Sequence, residues 1–265
     1  MIITAPTGAS PAIRLDRVSK TFTLDGKKQL TALSDIDLNV GKGEFVALLG
    51  PSGCGKSTIL RLVAALEEPS GGRVTIEGAS PDALSKSHRL GVAFQDHALL
   101  PWLDIAANVA LPFQVAGKPV DKARVAELIG LVGLAGFENA RPKQLSGGMR
   151  QRASIARSLA LQPDVLLLDE PFGALDAVTR RQMNVELQRI WGAQQITTLL
   201  VTHSVDEALF LADRVIVMSG RPGRIIKDIQ VPFERPRRPS VMRDPAFHHL
   251  VDELTLALEP EGVEP

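Results

Sequence analysis

Apolar and polar positions divide this chain into three regions of different texture. Residues 12–22 (AIRLDRVSKTF) and 32–40 (ALSDIDLNV) alternate apolar with polar positions, the pattern of half-buried strands. Between them TLDGKKQ carries an Asp25-Gly26 turn signal. EFVALLG (44–50) is a short continuous apolar run, as in a strand buried on both faces, and a helical pattern follows from Lys56 to Leu66. GGRVTIEG (71–78) predicts another short strand bounded by turns. From about 96 to 160 the period changes to that of helices, in DIAANVALPFQVAG, DKARVAELIGLVGL and MRQRASIARSLALQ. Strands and helices then alternate: strand 165–170 (VLLLDE), helix 175–193, strand 196–203 (ITTLLVTH), helix 204–212 and strand 213–219 (DRVIVMS). A turn at GRPGR, a Pro- and Arg-rich stretch at 231–240 and a helix over roughly 245–258 complete the chain. The order predicts an α/β fold: a mostly parallel core sheet, antiparallel strands on its N-terminal side, and a helical insertion between the two halves of the core.

The 265 residues suit one large domain or a core carrying a sub-domain, and the hydrophobic content of 45% allows a substantial core. Thirty basic and thirty acidic residues cancel, which argues against bulk electrostatic binding to nucleic acid. The single cysteine, Cys54, excludes an internal disulfide and fits a reducing compartment. No apolar run is long enough to span a bilayer, and MIITAPTGAS lacks the basic and apolar regions of a secretory signal. The expectation is a cytosolic protein that meets any membrane through a partner.

The candidate chemistry begins at GPSGCGKS (50–57), which fits G-x-x-x-x-G-K-[ST] between a buried strand and a helix. Average residue usage gives such a match by chance on the order of once in a hundred chains of this length. Gly50, Pro51, Ser52, Gly53, Cys54 and Gly55 form a loop whose backbone N–H groups can wrap a phosphate, at a helix N-terminus that favours an anion. Lys56 is placed to reach the β/γ-phosphates, Ser57 to take a place on Mg²⁺, and Thr58 to donate to a neighbouring phosphate. VLLLDE ends in two carboxylates at a strand terminus, where sites of parallel sheets open. Asp169 fits the Mg²⁺ shell and Glu170 a general base on an attacking water, with Pro171 beginning a turn that redirects Glu170. His203 closes the next buried strand on the same presumed edge, which favours a γ-phosphate contact over a core histidine. Gln95 follows a short apolar run and is a candidate ligand for Mg²⁺ or water; alone it would be a surface amide. LSGGM (145–149) sets Gly147 and Gly148 after Ser146, a possible helix cap, although glycine is poor helix material. Something must approach that backbone, or the chain must turn there.

These residues, in this order and over nearly the whole chain, resemble the ATP-binding cassette family, the ATPase subunits of ABC transporters. GPSGCGKST resembles Walker A, VLLLDE Walker B with its catalytic glutamate, LSGGM the family signature, Gln95 the Q-loop, ALD (174–176) with Asp176 the D-loop, and His203 the switch histidine. The resemblance implies a P-loop NTPase core over 12–230, with a helical sub-domain at about 96–160, a flexible tail at 1–11, and a connector and helix at 231–265. It implies ATP and Mg²⁺ as cofactors, with Ser57, Gln95 and Asp169 at the metal. It also implies a head-to-tail homodimer in which Ser146, Gly147 and Gly148 of one subunit cap the γ-phosphate held by the other. Two positions depart from the family: Met149 replaces the usual Gln after Ser-Gly-Gly, and Phe22 stands where a tyrosine often stacks on adenine.

The stretches LLPWLDIAANVALPFQVAG, DEPFGALDAVTR, MSGRPGRI and DPAF resemble the importer branch for nitrate, sulfonate and taurine. That resemblance implies integral membrane permease subunits, a solute-binding protein reached through them, and a peripheral place on the cytoplasmic face of the inner membrane. An importer of thiamine pyrimidine precursors shares much of the pattern, and a soluble single-cassette ATPase such as a cluster-assembly factor fits by size. A small-molecule kinase would explain Walker A but not LSGGM. HALLPWL (97–103) discriminates: Leu99, Leu100, Trp102 and Leu103 either receive a permease's coupling helix or fill the sub-domain core. Arg235, Arg237 and Arg238 read as a solvated, proline-stiffened connector, and Cys54 as a filler of a variable loop position open to thiol reagents.

Overall fold

A computed structural model describes residues 10–23, 28–173 and 175–259. Most of the 1–11 tail, the Asp25-Gly26 turn, Ala174 of the ALD stretch and residues 260–265 lie outside the described residues. The first sheet is antiparallel and comprises β1 (Ile13–Thr23), β2 (Gln29–Val40) and β4 (Gly71–Ile76), with β1 in the middle. The second holds β3 (Phe45–Leu49), β5 (Leu90–Ala93), β6 (Val165–Asp169), β7 (Thr197–Thr202), β8 (Arg214–Met218) and β9 (Ile225–Gln230), in the order β5-β6-β7-β3-β8-β9. All its neighbours run parallel except β8 and β9.

The period of two along each core strand splits the interior into two cores, one on each face of this sheet. Val46, Leu48, Leu167, Leu199, Val201 and Ile216 face α1 (Lys56–Val63) and the antiparallel sheet. Phe45, Ala47, Leu49, Leu168, Leu200 and Val217 face the other way. They meet α6 (Ala177–Gln194), α7 (Val205–Leu211) and α8 (Pro245–Leu258), and a helical layer of α3 (Ile105–Val115), α4 (Lys122–Leu131) and α5 (Gly147–Ser158). Aspartate caps start several of these helices: Asp104 accepts from Ala107 N at 2.7 Å and Asp121 from Arg124 N at 2.9 Å.

Three elements escape a reading by period. The short helix α2 (Pro81–Lys86) and the four-residue β5 offer too few positions to show one. The strand β9, which follows the predicted turn, is an edge strand that interleaves isoleucines with charges. Its Asp228 pairs with Arg214 at 2.6 Å and its Lys227 with Glu253 of α8 at 2.6 Å.

The Pro/Arg segment corrects the expectation of a solvated connector. Arg237 is only 4% exposed, and its guanidinium donates to the carbonyls of Ala212 (2.7 Å), Phe210 (3.1 Å) and Phe233 (3.1 Å). Its own peptide group is bracketed by the Gln188 amide, whose Nε2 donates to Arg237 O at 2.8 Å. Arg235 pairs with Asp213 at 2.6 Å, donates to Leu211 O and lies 4.0 Å over the Trp191 ring. The two cations thus cap the last carbonyls of α7, where the helix dipole is negative, and only Arg238 stays exposed. Burial, and then the neighbouring Arg235 charge, lower the Arg237 guanidinium to about 10. Arg237→Met should leave three buried carbonyls short of a donor and cost about 2–3 kcal/mol. In a chain of this size that is a fall of roughly 4–10 °C in a thermal melt; an unchanged melting temperature would restore the solvated reading.

Candidate functional site

Strand register assembles the site. Leu49 at the end of β3 pairs with Thr202 at the end of β7, and Asp169 at the end of β6 pairs with Val201. The residues that follow, Gly50, His203 and Glu170, therefore emerge side by side at the carboxyl edge of the sheet, where ligands of open α/β sheets bind. The loop 50–55 leads into α1 through Gly55, whose φ of 102° is left-handed and whose missing Cβ would lie 2.5 Å from Leu33 Cδ2. Cys54 is buried, and a Cβ on Gly50 would meet its Sγ at 2.9 Å. The thiol is packed under the loop, away from solvent and reagents.

Lys56 is 6% exposed, with Nζ donating to Gly50 O (2.6 Å) and Pro51 O (3.0 Å). The Ser57 hydroxyl donates to Asp169 Oδ1 at 3.0 Å. Burial pushes the Asp169 carboxyl above its usual range, and the bond from Ser57 opposes that shift. Glu170 adopts a left-handed φ of 46° and its N–H reaches Val201 O at 2.9 Å, so the turn starts at Glu170 itself, one residue before the proline. Its Oε2 lies 3.3 Å from His203 Nδ1. Phe22, Ser52, Gly53, Lys56, Thr58, Gln95 and Glu170 all border one cleft of about 380 Å³. Ser57 and Gln95 also border an adjoining cleft with Asp169. Phe22 carries Lys20 Nζ 4.9 Å over its ring.

The oxygens of Ser57, Asp169 and Gln95 form a hard donor set that suits Mg²⁺. Among the described residues no group of three or more His, Cys, Asp or Glu could hold an ion alone. Three protein oxygens leave room in an octahedral shell for phosphate oxygens and water.

Ser146, Gly147, Gly148 and Asp176 are not brought into this cleft. Ser146 caps α5 by accepting from Met149 N at 3.3 Å, and Asp176 caps α6 by accepting from Val178 N and Thr179 N at 3.0 Å. The Thr179 hydroxyl and these amides hold the Asp176 carboxyl below its usual range. A Cβ on Gly148 would lie 2.4 Å from Leu175 Cδ2, so the first turn of α5 closes against the segment before Asp176. Close approach is what Gly148 permits, and one neighbour that approaches is the chain's own Leu175.

Two residues were not legible from the sequence. Arg221, in the turn between β8 and β9, donates through Nε and Nη2 to Gly53 O (3.2 and 3.1 Å) and borders the same cleft. GRPGR reads only as a turn; β8 lying beside β3 is what sets its cation against the loop. Glu207 of α7 is 4% exposed behind Glu170 and His203, and nothing in its spacing announces this.

A glycine loop between a core strand and a helix, a Ser–Asp pair beside it and a Glu–His pair on the same sheet edge define the class of P-loop nucleoside triphosphatases. More narrowly, the chain belongs to the ABC transporter family, which matches residues 33–173. It is 41% identical over 261 residues to the nitrate import ATP-binding protein NrtD of Synechococcus elongatus, covering 94% of this chain and 92% of that protein. It is 40% identical over 255 residues to the bicarbonate transport ATP-binding protein CmpD of the same species, covering 94% and 91%. Among solved structures, a dimeric ATP-binding cassette in a post-hydrolysis state with ADP and Pi superposes with a TM-score of 0.76 at 32% identity, covering 84% of this chain and all of that one. The chain is an ATPase that binds ATP.

Gly148→Ala should push Leu175 aside and cost about 1–3 kcal/mol by overpacking, against a gain of about 1 kcal/mol in helix propensity. Gly148→Ala with Leu175→Ala should regain most of the lost thermal stability; a double variant no better than the single one would move the conflict elsewhere.

Proposed function

We propose that this chain is the ATPase subunit of an importer for a small solute of the nitrate, sulfonate or taurine kind. It works as a head-to-tail homodimer on integral membrane permease subunits at the cytoplasmic face of the inner membrane. The observation that carries the importer reading is the loop beside Gln95. Trp102 there is 67% exposed, while Asn108, fully buried, fixes the loop from below. Asn108 Nδ2 donates to the carbonyls of Leu100, Leu103 and Asp104 at 2.9–3.2 Å, and its Oδ1 accepts from Leu100 N at 2.8 Å. A large aromatic held out on a rigid loop suits an anchor for a partner helix. The two relatives serve nitrate and bicarbonate transport, which favours a small oxyanion over a pyrimidine precursor.

The chemistry follows from the cleft. Phe22 stacks on the adenine, and the amides of 50–55 with Lys56 and Thr58 hold the phosphates. Ser57, Asp169 and Gln95 would hold Mg²⁺, which would supply positive charge against the phosphates. Glu170 accepts a proton as a water oxygen bonds to the γ-phosphorus, the bond to the β,γ-bridging oxygen breaks, and ADP carries away the electron pair. His203 touches the γ-phosphate and braces Glu170 from 3.3 Å. Ser146, Gly147 and Gly148 of a second copy close over that phosphate, next to its Asp176.

Glu170→Gln keeps size but cannot take the proton. Turnover should fall about 10²–10⁴-fold while ATP still binds and the dimer accumulates; near-normal hydrolysis would remove Glu170 from the role. For the importer reading, Trp102→Ala should keep ATP affinity within about twofold but lose about tenfold or more in capture of the permease from detergent extracts, the size of a hot-spot anchor. Intact capture beside a lowered melting temperature would make Trp102 a packing residue. Stimulation of the purified complex by nitrate, bicarbonate or taurine with the binding protein present then identifies the solute.

A further inference from the structure

Behind the Glu170–His203 pair lies a small, partly open void of about 10 Å³, bordered by Phe172, Arg180, Thr202 and Glu207 as well as the pair itself. That is about one water-sized sphere, and Glu170, Thr202, His203 and Glu207 on its border bring the polar partners that a held water requires. Glu207 sits in the first turn of α7 with its N–H on Ser204 Oγ at 3.3 Å, so the helix start aims its carboxyl back toward the strand ends. Its Oε1 is buried and has no hydrogen-bond partner among the described residues. The nearby cation does not answer it: Arg180 spends Nε on Phe172 O (3.2 Å) and Nη2 on Leu175 O (2.9 Å). Burial pushes the Glu207 carboxyl up, Thr202, Arg180 and His203 oppose the shift, and Glu170 adds to it. A buried carboxyl short of a partner costs stability where an apolar side chain of similar size would cost none.

We propose that Glu207 is a positioning residue for hydrolysis: it holds one ordered water in this void, and that water hydrogen-bonds the Glu170–His203 pair and fixes its orientation. The proposal rests on the reading of Glu170 as the base. It requires no proton to leave Glu207: a carboxylate accepts from the water, and a neutral carboxyl also donates to it. The void also touches Phe172 and Arg180 at the turn before Asp176, so the bridged water ties the base to the segment that meets the second copy.

The test uses the full chain, with single-turnover ATP hydrolysis at concentrations where it dimerises. Glu207→Met should lower the hydrolysis rate about tenfold or more, the scale of lost alignment in an active site, with KM for ATP within about twofold. Its melting temperature should change little, since an apolar side chain of similar size replaces a buried polar one. Glu207→Gln, which donates and accepts, should recover the rate to within about threefold. In the Glu170→Gln background Glu207→Met should add less than about twofold, because residues acting as one unit are not additive. A full rate in Glu207→Met, or a loss that persists undiminished in the Glu170→Gln background, overturns the proposal. If Glu207→Met does not fold, a high-resolution crystal structure of the unaltered chain decides: a water bridging Glu207 Oε1 to Glu170 or His203 supports it, and a dry void overturns it. A slow Glu170→Gln beside a full-rate Glu207→Met sinks the bridge alone; a full-rate Glu170→Gln sinks the assignment of the base.

Discussion

The in-register parallel pairing of β3, β6 and β7 is the constraint on which the rest depends. Each of these strands is buried on both faces, so a slip of one residue would exchange the side chains of the two cores. The register is thus set by hydrophobic burial spread over the whole sheet. The same register places Gly50, Glu170 and His203 in one row at its edge. The geometry of this edge is inherited from core packing, and the local turns only adjust it: Gly55 in the left-handed region opens the loop, and Glu170 at φ 46° turns its carboxylate toward His203.

What was legible in the sequence follows from this division. Short buried runs such as VLLLD and TTLLVT are recognisable as strands because they are brief, mostly apolar or β-branched, and bounded by turn signals. The glycine loop, Asp169, Glu170 and His203 were readable as candidates because each follows or ends a buried strand, while Gln95 joined them only through the family resemblance. Arg221 and Glu207 were not. Each reaches the site through strand order or helix orientation, which a linear pattern does not encode. Arg237 misled for a related reason: proline and arginine in a tail read as solvent-facing, whereas the open carbonyls at the end of α7 demand donors that a buried guanidinium supplies.

The helical layer is tied to the core at the loop that follows Gln95. Gln151 of α5 accepts through Oε1 from His97 Nδ1 at 2.7 Å and donates through Nε2 to Phe94 O at 3.4 Å, while Arg157 donates to the carbonyls of His97 and Ala98 at 2.9 and 2.8 Å. The helix that starts at Ser146 is therefore anchored, by its middle and far end, to the loop that carries Gln95 and leads to Trp102. A displacement of that loop must move α5 or break these bonds. At its other end α5 is closed against Leu175 at Gly148, and Arg180 holds the carbonyls of Phe172 and Leu175.

These contacts give a physical route between three surfaces within one chain. Trp102 presents one, the Ser146–Gly148 turn with Asp176 another, and the cleft with Glu170 the third. The stiff parts are helices and buried strands; the joints are hydrogen bonds from side chains to backbone carbonyls, which have definite lengths and can be made or broken singly. The C-terminal segment adds a fourth constraint from behind. Arg235 and Arg237 hold the far end of α7, the helix whose first turn carries Glu207 and is capped by Ser204. The Glu170–His203 edge is thereby backed by a helix tied to the core, whereas the loop that presents Trp102 is tied to α5 by hydrogen bonds that can be broken singly.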